Sequence, residues 1–75
     1  MANSLNKTKL EKSNNVHTRL KNAHYYAGMY GNDNNQHHLD LFEYHNTIIK
    51  RQKQTGKILE QKEKRKILLG IKKRK

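Results

Sequence analysis

Apolar residues are sparse along this chain, and their spacing divides it into segments. Before Ser13 the anchors are Leu5 and Leu10, which do not share a helical face well, so residues 1–12 are expected to be flexible. Ser13, Asn14 and Asn15 supply N-cap oxygens. Val16, Leu20, Ala23, Ala27 and Tyr30 then recur at steps of four and three, the narrow stripe of an amphipathic helix over about 14–30. Gly31 is a natural stop, and Gly28 in the last turn weakens the helix by about 1 kcal/mol relative to Ala. The run Gly31 to Gln36 reads as a turn.

A second helix is expected over about 36–55, capped by Asn34 or Asn35, with Asp40 and Glu43 near its positive end. Its inward-facing candidates are His38, Leu41, Phe42, His45, Ile48 and Ile49. The two stripes can face each other, which predicts a helical hairpin over 13–56 with Val16, Leu20, Ala23 and Ala27 against the second helix. Gly56 either breaks the second helix or is carried through it at a cost of about 1 kcal/mol. Residues 57–69 read as a further helix once their charge is neutralised, with Glu60 and Lys64 as a favourable i,i+4 pair. Gly70 is expected to end it, leaving a basic tail over 71–75. The fold class is therefore all-α: a small hairpin, then a basic helix or extended arm, with little independent core.

Composition sharpens this. The chain has 75 residues and is 32% hydrophobic, with no Trp, so one core supplies little stability. It has no Cys, which removes disulfide, iron–sulfur and thiolate–zinc staples. Order must come from idealised helices, self-association or docking on a larger partner. Docking is the preferred reading, because chains carrying +11 repel one another. Met1 to Lys12 lacks an apolar signal region, so synthesis in the cytoplasm is expected. Ile67-Leu68-Leu69, the longest aliphatic run, is far short of the ~20 residues that cross a bilayer, and no membrane partner is expected.

The charge is local. Residues 50–75 hold twelve bases and two acids, whereas residues 1–49 hold five bases and four acids. Lys50, Arg51, Lys53, Lys57, Lys62, Lys64, Arg65, Lys66, Lys72, Lys73, Arg74 and Lys75 are the candidate nucleic-acid contacts. Residues 62, 64, 65 and 66 wrap most of a helix circumference, which suits a helix lying along or between strands better than one reading bases from a single face. Leu41, Phe42, Ile48, Ile49, Ile58, Leu59, Ile67 and Leu68 are the candidates for docking on protein.

Other constellations carry less. Tyr26 and Tyr30 are expected to pack on the second helix, with Tyr25 outside. His17 and His24, and His38 and His45, are each seven apart; histidines that pack in a hairpin explain this as well as a metal site built from His37, His38, Asp40 and His45. No metal or other cofactor is expected. The run Tyr25 to Gly31 echoes a GIY-YIG nuclease only in composition, and His37 to Asn46 lacks the strands of an HNH nuclease. No enzyme is expected, since two helices build a sheltered pocket badly.

In size, Lys/Asn-rich style and the runs Lys62-Glu63-Lys64-Arg65-Lys66 and Lys72-Lys73-Arg74-Lys75, the chain resembles the small basic inner core proteins of tailed-phage heads. That resemblance implies a virion component present in many copies inside the capsid, docked on coat protein and touching packaged DNA in preference to RNA. The alternatives are a ribosome-associated RNA-binding protein and a small regulator that binds a host enzyme through its hairpin.

Overall fold

The computed structural model describes the backbone of residues 2–73 and the side chains of residues 8–73. Three helices follow one another: α1 Ala2–Tyr30, α2 Asn35–Thr55 and α3 Gln61–Lys73. No strand occurs among the described residues, so the all-α class holds. The molecule measures 47 × 23 × 16 Å, its length set by α1, which at 1.5 Å per residue runs for about 43 Å.

α1 begins at Ala2, not near Ser13. No Gly or Pro interrupts residues 2–27, so once Leu10 and Ser13 rest against the hairpin nothing breaks the helix upstream. The turn is closed by side chains. Asn34 adopts the left-handed conformation, φ 53°, without a side-chain cap bond. Asn35 does the capping, in the unexpected direction: its Nδ2 donates to Gly28 O at 2.8 Å and Gly31 O at 2.7 Å, satisfying the last carbonyls of α1.

Gly28 has a steric role. A Cβ there would lie 2.6 Å from Leu39 Cγ and 3.2 Å from Asn35 O. The close approach of α1 to the start of α2 therefore requires glycine, despite its poor helix propensity. Gly28→Ala is expected to lower the urea midpoint. The overpacking penalty of about 1–3 kcal/mol outweighs the ~1 kcal/mol gained in helix propensity.

Gly56 breaks α2. Its φ of 70° and its N–H donated to Gln52 O at 2.8 Å form a left-handed C-cap. Residues 56–60 then cross to α3, which starts at Gln61 and not at Lys57. Gly70 does not end α3. Its φ is not positive and its surroundings are open, so it is simply a helical residue, and buried Ile71 holds the last turn in place.

The hydrophobic core lies between α2 and α3. Ile48, Leu59, Ile67 and Ile71 are buried together, with Tyr44 packed on them. Basic α3 is thus folded back onto α2 and does not form a separate arm. The α1–α2 seam is polar. Gln52 is fully buried; its Nε2 donates to Ser13 Oγ at 3.2 Å and Asn14 Oδ1 at 2.9 Å, while its Oε1 accepts the Leu59 N–H at 3.1 Å. His17 meets His45, His24 meets His38, and Lys21 Nζ donates to Asn46 Oδ1 at 3.3 Å.

The rotation of α1 is therefore not the expected one. Residues 10, 14, 17, 21, 24 and 28 line the seam at steps of four and three. The apolar stripe sits about a third of a turn away, with Val16, Leu20, Ala23 and Tyr30 exposed and Ala27 half-buried. This is the side of α1 on which Gly28 meets Leu39 with no room for a Cβ.

Candidate nucleic-acid interface

α3 has two faces. Ile67 and Ile71 point into the core. Lys62, Arg65, Lys66, Lys72 and Lys73 are exposed, at positions that place them on the opposite side of the helix together with Leu69. The bases expected to wrap the circumference are in fact gathered on one side, because packing on α2 takes the other. Lys64 is the exception: it is half-buried and its charge acts on His17 and His45, so it faces the hairpin.

Lys50, Arg51 and Lys53 near the end of α2 and Lys57 in the linker are exposed as well. Arg51 from α2 and Lys66 from α3 line one open cleft of about 390 Å³, whose floor includes Thr47, Ile67 and Ile71 and whose rim carries Glu43. A second open cleft, about 310 Å³, lies at Lys9, Gly56, Lys57 and Ile58. Both are open, and each is bordered by two basic side chains. Glu63 occupies the first turn of α3 and Lys72 and Lys73 the last, each offsetting the helix dipole and so stabilising the helix. Arg74 and Lys75 lie outside the described residues.

The expected docking residues are mostly internal. Ile48, Ile49, Leu59 and Ile67 are buried within the chain. Leu41, Phe42 and Leu68 are half-buried, and Ile58 is exposed. The expected packing of Tyr26 and Tyr30 on α2 is not found: both are exposed and stack on each other at 6.0 Å, while Tyr25, also exposed, has its ring 5.2 Å from that of Phe42.

The imidazoles form a column that the spacing alone did not announce. His17 Nδ1 lies 2.8 Å from His45 Nδ1, and His24 Nδ1 lies 3.1 Å from His38 Nδ1. In each contact one ring donates N–H and the other accepts, so the facing nitrogens share one proton. His24 and His45 stack between the two pairs, centroids 5.7 Å apart and planes 6° apart. Burial lowers the pKa of His17, and Lys64 lowers it further. Burial, then His38 and His37, lower that of His24. His45 falls to about 4 through burial first and then the charges of His17, His24 and Lys64. Tyr44, 4.9 Å from His45, is raised by burial.

This column is not arranged for a metal. Seven residues along α1 separate His17 from His24 by about 10 Å, so no single ion reaches every ring. Among the described residues no group of three or more His, Asp or Glu side chains could hold a metal ion. His38 meets His24 and, by ring contact at 5.8 Å, His37, while His45 meets His17; Asp40 accepts from Gln36 Nε2 at 3.1 Å. No described helix is long and apolar enough to cross a membrane. Comparison with protein-family models, curated proteins and solved structures gives no match to this chain.

Proposed function

We propose that this chain is a non-enzymatic structural protein that contacts nucleic acid through its basic C-terminal third. The observation that carries the reading is the outward face of α3: Lys62, Arg65, Lys66, Lys72 and Lys73 stand opposite the buried Ile67 and Ile71. At 13 residues α3 is about 20 Å long, enough to follow several phosphates of one strand at about 3.4 Å each. Such contacts position a protein without reading sequence. With the resemblance in size and charge, the specific form of the proposal is a capsid-interior protein, present in many copies, docked on coat protein and neutralising packaged DNA.

A salt titration of binding to random-sequence duplex DNA tests this. For about seven phosphates neutralised, log K is expected to fall against log salt with a slope near −6. The Lys62→Gln/Arg65→Gln/Lys66→Gln variant is expected to flatten the slope by about 3, whereas Lys64→Gln leaves it nearly unchanged. A wild-type slope near zero would overturn nucleic-acid contact. Sedimentation of the native protein with ribosomal subunits in place of virions would overturn the capsid form alone.

A further inference from the structure

α1 carries an apolar face that the fold leaves uncovered. Val16 is 54% exposed, Leu20 40%, Tyr26 63% and Tyr30 73%. Val16, Leu20, Ala23, Ala27 and Tyr30 follow one another at steps of four and three, the spacing of a helix-packing seam. The chain's total accessible surface is 5879 Å², against about 4,800 Å² expected for a compact monomer of its mass. An elongated shape of 47 × 23 × 16 Å exposes more surface than a compact one of the same mass.

We infer that this stripe is covered by a second copy of the chain, α1 packing antiparallel on α1 about a twofold axis beside Ala23. An interface of this symmetry must be complementary to itself, and the stripe is. With Ala23 on the axis, Leu20 of one copy falls opposite Ala27 of the other, and Val16 opposite Tyr30. Large residues meet smaller ones in both directions, and the paired alanines let the helices approach to the lower end of the 8–10 Å range of helix packing.

Charge selects the same arrangement. Between Asn22 and Asn32 there is no Lys, Arg, Asp or Glu, so the centre of the contact holds no like-charge pair. A parallel pairing would set Lys12 and Arg19 beside their own copies; the antiparallel one separates them. α3 packs on the part of α2 whose neighbours, His45 and Gln52, meet His17 and Asn14. These lie six to nine residues from the axis, about 9–13 Å along α1. The two basic helices therefore sit toward opposite ends, separated along the axis by about twice that distance, well beyond the ~8 Å screening length at physiological salt. Self-association through α1 is thus compatible with a net charge of +11, which would oppose most other pairings.

The test uses the full chain in high salt without nucleic acid, so its outcome is independent of any role in nucleic-acid binding. Sedimentation equilibrium is expected to give twice the 8.9 kDa chain mass, and Ala23→Glu, at an exposed position, is expected to give the single mass with unchanged helical circular dichroism. The chain has no native cysteine. Ala23→Cys chains are expected to cross-link on oxidation at least about tenfold faster than Asn15→Cys chains, because pairing raises the effective concentration toward millimolar. A wild-type chain that stays at 8.9 kDa at high concentration overturns the inference. So do equal cross-linking rates, and so would a stripe covered only by a different protein, which leaves the isolated chain monomeric.

Discussion

Acidification from pH 7.5 to pH 4.5 is expected to loosen the α1–α2 hairpin and lower the thermal midpoint sharply. The cause is the shared proton in each Nδ1···Nδ1 contact. Protonating both rings of a pair replaces an N–H···N bond with two facing N–H groups and two like charges. The direction follows from the pKa values. His17, His24 and His45 all lie below the ordinary 6.5 in the folded chain, so the unfolded chain binds protons first as the pH drops. Their contribution to stability is complete above pH 6.5. It is lost as the pH falls toward about 4, where His45 titrates in the folded state. A tenfold change in proton affinity is worth about 1.4 kcal/mol. His45 alone then withdraws on the order of 2–3 kcal/mol, the lower end applying because its outer edge touches solvent. Lys64, whose charge faces the same rings from α3, steepens the loss. Thermal melts across this range check the expectation. A His17→Leu/His45→Leu variant should lose most of the pH dependence, and a wild-type midpoint that is flat from pH 7 to 4.5 would refute it.

Replacing Gln52 is expected to be the most damaging single substitution. This side chain is fully buried and joins three segments: Ser13 and Asn14 of α1, its own helix, and the Leu59 amide at the entrance to α3. Gln52→Ala leaves the Leu59 N–H without its acceptor, which costs about 1–3 kcal/mol for a buried donor, and opens a cavity besides. A chain this small holds only about 3–5 kcal/mol in its core, so Gln52→Ala should be largely unfolded at room temperature. Gln52→Leu keeps the volume but not the bonds, and separates the two contributions. It is expected to lower the urea midpoint and to speed hydrogen exchange at the Leu59 amide by more than tenfold. Wild-type protection at that amide would show that the hydrogen bonds of Gln52 are unimportant.

The parts of this fold legible in the sequence are those where apolar spacing and backbone chemistry agree. The span of α2 was nearly legible, about 36–55 against Asn35–Thr55, but its cap was not: Asn34 makes no side-chain cap bond and Asn35 bonds to the end of α1, while Gly56, open between a break and a passage, is a break. His45, Ile48 and Ile49 were readable as inward because they recur on one face. The rotation of α1 was not, because apolar spacing points to Val16, Leu20 and Ala23 while the hairpin is joined through Ser13, Asn14, His17, Lys21, His24 and Gly28. From Asn14 onward that set also follows a three-four rhythm, but of polar and small residues, which ordinarily marks a solvated face. Only its matching partners on α2, residues 38, 45 and 52, reveal it as a seam. For the candidate interface, net charge identified the basic third. It did not show that Lys64 turns inward, since that depends on how Ile67 and Ile71 settle on Ile48. Gly70 was misread because a glycine without positive φ is merely a weak helix former, and Ile71 beyond it has a place in the core.

The column of imidazoles between α1 and α2 has a calorimetric consequence. Bringing rings and amides together removes less hydrocarbon from water than an aliphatic interface of the same extent, and exposing polar surface lowers the heat capacity of unfolding instead of raising it. Melting of the hairpin therefore carries a small heat-capacity increment, and its stability curve is broad and shallow. The joint between α1 and α2 answers to protons far more than to cooling.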